Sequence, residues 1–308
     1  MIKATSGKDF ECNLCPNACK SPRTNGRTGL CGAPHEITVA YWHLHKWEEP
    51  PLSGTRGSGT VFFSCCTMRC VFCQNKDISR SPVGKTYTPK EFSELIKSIE
   101  ASGAHNVNLV SPTPFADLIA EALEIYKPKI PVVYNTSGYE TVDTLKMLDG
   151  LVDVYLPDLK YVNEEYSQKY SGTKNYFKFA FPAISEMIRQ VGKPVYDADG
   201  IMQKGVIVRH LVLPNNLQNT FDVLDCFAKH FKNDALLSLM GQYTPVDTEN
   251  YPEINRPLKP LEYKRAALYM EKLGITDGFT QDLGSVGESF IPDFSKIHID
   301  KRPPYPLY

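Results

Sequence analysis

The sequence predicts an α/β fold on a parallel sheet, and three observations carry that reading. From Thr60 onward, short apolar runs alternate six times with helix-spaced apolar positions, the order of a sheet with helical crossovers. The chain has 308 residues, a length to which single α/β barrels commonly run. Before residue 60 there is no sustained period: Cys, Gly, Pro and Thr dominate, and the segment ends in the Pro- and Gly-rich stretch Pro50–Gly59. Two parts follow, a Cys-rich segment over residues 1–59 and a sheet domain over 60–308.

Thr60–Ser64 is the first apolar β run. Thr88-Pro89-Lys90-Glu91 reads as a capping box with proline at the first helical position, and Phe92, Leu95, Ile96 and Ile99 continue at helical spacing. Val107–Val110 is the second strand, and Phe115, Leu118, Ile119, Ala122 and Tyr126 mark the helix after it. Pro131–Tyr134 is the third strand, followed by a short helix through Val142, Leu145 and Leu148. Val152–Leu156 is the fourth. Residues 161–200 are less regular, with a helix expected near 180–191. Val206–Val212 is the fifth strand, with a helix at about 217–231, and Leu236–Met240 is the sixth. A Pro-rich loop, Tyr243–Pro260, leads to a helix through Leu261–Leu273. In such a sheet, polar residues at the carboxyl ends of the strands are the candidate site.

Charge is nearly balanced, 34 basic against 35 acidic residues, and no Lys/Arg run points to nucleic acid. No apolar stretch approaches the ~18 residues that a membrane helix needs. The start Met1–Gly7 lacks a signal-peptide core, so a cytoplasmic protein is expected. Eight of the nine cysteines lie between Cys12 and Cys73, and short spacings in such a chain favour metal over disulfides. Cys226 stands alone in a helical pattern and reads as a small core residue.

Cys66-Thr67-Met68-Arg69-Cys70-Val71-Phe72-Cys73 leaves the first strand at its carboxyl end. Three thiolates at C-x3-C-x2-C spacing are one short of the four that usually hold an iron–sulfur cluster. A 4Fe-4S cubane held by three keeps one iron open, as an open position separates a catalytic zinc from a structural one. That iron can chelate the amino and carboxylate groups of S-adenosylmethionine (SAM). One electron into the sulfonium then yields a 5′-deoxyadenosyl radical that abstracts hydrogen. The rival is a zinc knuckle on Cys65, Cys66, Cys70 and Cys73. Two adjacent cysteines suit it poorly, because successive extended residues point to opposite faces.

Ser58–Asn75 resembles the signature of the pyruvate formate-lyase activating enzyme branch of the radical SAM superfamily, most closely its PflX-like members. Glu11–Cys19, Trp47–Gly54, Asn108–Thr113 and Leu239–Pro245 resemble that subgroup too. The resemblance implies a partial (β/α)6 barrel, a 4Fe-4S cluster on Cys66, Cys70 and Cys73, SAM as cofactor, and an electron donor such as flavodoxin or ferredoxin. It also implies SAM contacts. Phe72 matches an aromatic that packs near the adenine, although a plain loop anchor would look the same. Ser111 and Thr113 stand where relatives carry a Gly-Gly-Glu-like stretch, without the glutamate. Thr136 and Ser137 follow Asn135 in a polar turn whose first place is usually Asp, which removes the basis for a cation site there. Asp158 and Lys160 match a motif whose acid and amine face the cofactor; the plain alternative is a surface ion pair. Arg209 falls on a cofactor-contacting Arg, while His210 points to the other face and reads as a satisfied core residue. Gln242 replaces a His near the adenine, and Cys65 replaces a Gly whose place suggests φ > 0.

Cys12-x2-Cys15-x3-Cys19-x11-Cys31 supplies four thiolates, with turns at Gly26, Gly29 and Gly32. Four thiolates close a site, which suits structural zinc or a second iron–sulfur cluster equally. His43 and His45 alternate like strand residues. The expected function is radical SAM chemistry. The resemblance adds a glycyl radical enzyme as partner, its glycine entering the open side of the barrel beneath a lid at Tyr243–Pro260. Radical modification of another macromolecule or of a metabolite, and a non-catalytic metal-cluster scaffold, are the alternatives.

Overall fold

The computed structural model describes residues 11–23 and 27–281. The start Met1–Gly7 and the turn assigned to Gly26 lie outside them.

The strands are β1 Ile37–His45, β2 Ser58–Phe63, β3 Lys85–Tyr87, β4 Val107–Val110, β5 Val132–Thr136, β6 Val154–Pro157, β7 Val195–Tyr196, β8 Met202–Leu211, β9 Leu236–Met240 and β10 Gly278–Thr280. The helices are α1 Pro50–Ser53, α2 Lys76–Ser79, α3 Pro89–Ala101, α4 Ala116–Ile125, α5 Val142–Met147, α6 Glu164–Ser171, α7 Tyr176–Val191, α8 Leu217–His230 and α9 Pro260–Lys272, with a 3-10 turn at Thr113–Phe115. The sheet runs β3-β1-β2-β4-β5-β6-β8-β9-β10, with β7 beside β8. The six expected strands are β2, β4, β5, β6, β8 and β9, all parallel, and β10 extends the series. β1 and β3 close the other side antiparallel. The edge strands β3 and β10 do not pair with each other, so the α/β barrel is partial.

β1 arises within the segment that shows no period, yet it pairs with β2 from Val39–Phe63 to His45–Ser58. The helix expected near 180–191 begins at Tyr176, and α6 precedes it. The capping box of α3 forms: Thr88 Oγ1 accepts the Glu91 N–H at 3.3 Å, and the Glu91 carboxylate accepts the Thr88 N–H at 2.8 Å.

Strand residues alternate between two cores. Val61, Phe63, Val107, Leu109, Val132 and Tyr134 enter the outer core against the helices. Val133, Val154, Leu156, Ile207 and Leu236 face inward, and Leu52 of α1 packs among all of them. One cluster shared by four strands and α1 fits a concave inner face that α1 plugs. Inward positions nearest the strand carboxyl ends, Val110, Asn135, Arg209, Leu211 and Met240, are half-buried, so the concavity opens toward that end.

Candidate active site

β2 delivers the chain to Cys65, which takes φ +70 and donates its N–H to Ile78 O at 2.8 Å. This left-handed turn sends two neighbouring thiols to different surroundings. The Cys65 thiol is fully buried beside Cys31, whereas Cys66, Cys70 and Cys73 lie within range of one another's charge. The loop is pinned from α6: Arg69 N–H donates to Ser171 O at 3.2 Å and Val71 N–H to Tyr170 O at 2.9 Å. Cys70 Sγ lies 3.0 Å from Ser171 Oγ, and Cys73 Sγ 3.6 Å from Ser79 Oγ. Phe72 is buried edge-on to Tyr243, with centroids 6.0 Å apart.

Burial pushes the Cys66 thiol up to about 12 and raises Cys70 too, with Lys160 opposing both. Thiolates there need a nearby cation, and a metal cluster supplies one. No three His, Cys, Asp or Glu side chains of the described residues gather around one ion's position. Three thiols on one loop fit a cluster that spreads its ligands over separate irons.

Asp158 and Lys160 leave β6 beside this loop and form a 2.5 Å ion pair with side chains 22% and 18% exposed. The pair is partly buried, unlike a surface bridge. Burial lowers the Lys160 ammonium, but Asp158 and Cys70 outweigh it and hold it well above the usual range. Tyr176 braces the pair: its hydroxyl accepts Lys160 N–H at 3.0 Å and lies 2.8 Å from both Asp158 O and Ser137 O.

The other residues expected at the cofactor separate. Ser111 sits at φ +59, half-buried, and donates its N–H to Asn135 O at 2.9 Å. Ser137 is half-buried at the same rim. The Thr113 and Thr136 hydroxyls both donate to Glu140, Thr113 at 2.5 Å, on the outer face. Both hydroxyls are thus engaged away from the expected cofactor place, Thr113 from its 3-10 turn and Thr136 because it follows the inward Asn135 and so points outward. Glu140 is 1% exposed, and burial pushes its carboxyl up to about 7 against the pull of both hydroxyls. Nothing in its local pattern marks it beyond an acid after a Gly turn. Arg209 departs as well: Glu49 takes its guanidinium in two bonds, Nε to Oε1 at 2.8 Å, and Glu48 takes a third. Gln242 is half-buried, and its carbonyl accepts Gln74 Nε2 at 3.2 Å, which ties the strand β9 exit to the cysteine loop. His210 is a satisfied core residue, with Nδ1 2.8 Å from Leu159 O and Nε2 3.0 Å from Thr220 Oγ1. In the Tyr243–Pro260 loop, Asp247 pairs with Lys76 at 2.6 Å and Glu253 accepts Tyr170 at 2.8 Å, so the loop rests against the same rim.

The amino-terminal cysteines gather beside this loop. Cys12, Cys15 and Cys31 are buried and Cys19 is half-buried. Gly29 lies between two of them: a Cβ there would come 3.1 Å from Cys19 Sγ and 3.7 Å from Cys31 Sγ. Burial pushes the Cys15 thiol up to about 12. Arg23, 2% exposed, donates to Pro114 O at 2.5 Å, to Pro34 O and to Cys12 Sγ at 3.7 Å, and meets no carboxylate among the described residues. The group docks on the first loop through Asn17 Nδ2 to Thr67 O at 2.8 Å and Arg69 to Leu30 O at 2.7 Å.

The description of the radical SAM superfamily matches residues 60–215. An uncharacterized protein of Methanocaldococcus jannaschii is 36% identical over 278 residues, covering 86% of this chain and 75% of that protein. Methylornithine synthase shares 17% identity at a TM-score of 0.46, covering 67% of this chain and 59% of that one. Streptococcus suis SuiB bound to SAM shares 14% at a TM-score of 0.48, covering 70% and 48%. This chain thus spans less than two thirds of either solved structure. No helix of the described residues is long and apolar enough to cross a membrane.

Proposed function

The chain belongs to the radical SAM superfamily, and from that premise we propose that Cys66, Cys70 and Cys73 hold its 4Fe-4S cluster at the mouth of the partial barrel. When bound, the cluster and SAM supply a 5′-deoxyadenosyl radical for hydrogen abstraction. The protein's own residues orient and shield. Lys160 sets a permanent cation beside Cys70 and is aimed by Asp158, which Tyr176 holds at its carbonyl. In this reading the ammonium of Lys160 pairs a carboxylate of the cofactor, and Asp158 faces its cationic side. Ser171 donates or accepts at Cys70 and keeps that sulfur turned toward the mouth. Phe72, Ser111, Ser137 and Gln242 line the same rim, with Phe72 packed so that it excludes water.

The observation that carries this reading is the Asp158–Lys160 pair, half-sheltered and within charge range of Cys70 at the carboxyl end of the strands. The test is anaerobic reconstitution followed by dithionite and SAM. Release of 5′-deoxyadenosine with iron and sulfide bound supports the assignment. A protein that binds the cluster yet releases none would be a scaffold instead.

Two extensions belong to the same proposal. Cys12, Cys15, Cys19 and Cys31 form a closed metal site, zinc or a second cluster, supported by the buried cation Arg23 that a thiolate centre would balance. Activation of a glycyl radical enzyme, with flavodoxin or ferredoxin as reductant, is the partner the sequence resemblance supports. A glycyl signal in electron paramagnetic resonance, transferred to such an enzyme, tests it.

A further inference from the structure

Beneath the cysteine loop, the barrel floor holds a charge imbalance. Glu48 and Glu49 enter the concavity just before α1, and both carboxylates fall on one guanidinium, Arg209 of β8. All three side chains are nearly buried, 9%, 6% and 13% exposed. No second Lys or Arg of the described residues lies within ion-pair distance of either acid. Two anions on one cation leave a surplus negative charge where desolvation makes it costly.

An independent observation lies at the same spot. Asn108 of β4 is fully buried and donates Nδ2 to Glu48 Oε1 at 2.9 Å. Its Oδ1, an acceptor, meets no donor. The floor thus lacks both a positive charge and a donor, and one group supplies both. His45, the neighbouring imidazole, does not: burial holds it below its ordinary range, hence neutral near pH 7. Two residues along β2 from Thr60, the register partner of Asn108, Phe62 stacks on Tyr41 at 4.6 Å and on His43 at 5.7 Å.

We infer that this floor binds a primary ammonium group of the substrate, the ammonium donating to Asn108 Oδ1 and Glu48 and its alkyl stem lying on Phe62. The inference rests on the radical SAM reading, since it gives that site its substrate class. Position agrees with it: Arg209 is bridged in register to Asp158, so the acids on its guanidinium lie next to the pair beside Cys70. Glu49, bound through both oxygens, positions Arg209, while Glu48 shares its charge between Arg209 and the ligand. A purely structural plug would need no second carboxylate here, because a neutral side chain would hold Asn108 without the desolvation cost.

The test is calorimetric titration of the reconstituted holoenzyme with S-adenosylhomocysteine present, so that the cofactor place is filled. The probes are n-butylammonium, n-butanol, n-butyrate and Nα-acetyl-lysine methylamide. Binding of n-butylammonium or of the capped lysine, at least about tenfold tighter than the alcohol and with no butyrate binding, supports the proposal. A preference for the capped lysine points to a polypeptide substrate, and a preference for n-butylammonium to a free amine. Glu48→Gln should weaken the favoured probe about tenfold. If that variant does not fold, Asn108→Ala, which leaves the ion pair whole, serves instead. Equal binding of ammonium and alcohol, displacement of the ammonium by S-adenosylhomocysteine, or unchanged affinity in both variants overturns it. Release of 5′-deoxyadenosine by the wild-type preparation is measured alongside; its absence sinks the radical reading and leaves the titration interpretable.

Discussion

Two groups of thiols lie side by side in this protein and are built in opposite ways. Cys66, Cys70 and Cys73 share one loop, are half-buried, and look into the barrel past an acid–amine pair. Cys12, Cys15, Cys19 and Cys31 are wrapped in their own segment, with Gly29 making room for two sulfurs and Arg23 buried against a third. The ligand count and the neighbouring charge differ together. Three thiols beside an ion pair would leave a side where a small molecule can be held. Four thiols, one of them against the buried Arg23, would close their site and leave none. On the reading proposed above, chemistry falls to the first group and stapling to the second.

The largest effect that would sharpen this contrast is in Cys70→Ala. It should abolish release of 5′-deoxyadenosine and lower bound iron by one cluster's worth, while the far-ultraviolet circular dichroism stays unchanged. The matching change at the other group, Arg23→Met, should leave the first cluster's spectrum in place but destabilise the fold by about 3 kcal/mol in urea melts, because it leaves the Pro34 and Pro114 carbonyls without their buried donor. Loss of SAM cleavage in Arg23→Met equal to that in Cys70→Ala would dissolve the distinction.

Acid and base should separate the same two neighbourhoods. Glu140, on the outer face near Cys15, has its carboxyl pushed from an ordinary 4.5 to about 7 by burial. A raised acid favours the folded state below the unfolded value, and that benefit disappears as pH rises through about 7, a swing of roughly 3 kcal/mol. Glu140→Gln should therefore gain stability over the wild type at pH 8 and none at pH 4. His210, behind Leu159, is lowered by burial from 6.5 to about 4. Its contribution is full above the unfolded value and is lost as pH falls through about 4, again roughly 3 kcal/mol. His210→Gln should flatten the acid limb of the urea-stability curve. Identical pH profiles for the two variants would contradict both burial assignments.

Lys160→Met carries a smaller effect on the loop side. Removing the ammonium should raise KM for SAM about tenfold, with a smaller fall in kcat, as expected for one lost charge-assisted contact. A change in kcat alone would move Lys160 from binding to the cluster's electronics.

The six parallel strands and the α3 cap were legible because each is a local pattern: period, capping residues and proline position. The three-cysteine loop was legible for the same reason. β1 was legible only at His43 and His45, which alternate like strand residues; its start at Ile37 does not stand out in a Cys-rich segment. The carboxylates at Arg209 were out of reach, since Glu49 lies 160 positions away and the pairing exists only once α1 plugs the barrel. Thr136 shows the limit of carrying a role over by position: a shift of one residue along a strand moves the side chain to the opposite face.

Cys65 lies between the two groups, and the smallest effect concerns it. Its φ of +70 is a conformation that glycine adopts freely and a cysteine does not. Cys65→Gly should release that strain, worth about 1 kcal/mol, but lose the burial of a fully enclosed sulfur, worth about as much in the other direction. The two nearly cancel, so the melting temperature should barely move. Metal content is then the informative readout, because stability no longer masks it. Cys65 Sγ sits 3.8 Å from where a Gly32 Cβ would be and within charge range of Cys31. If Cys65 only fills space, Cys65→Gly keeps the metal of the four-thiol group and the iron of the loop. If the variant loses the amino-terminal metal alone, Cys65 is a fifth member of that group, and the boundary between the two thiol sets runs through the peptide bond joining Cys65 to Cys66.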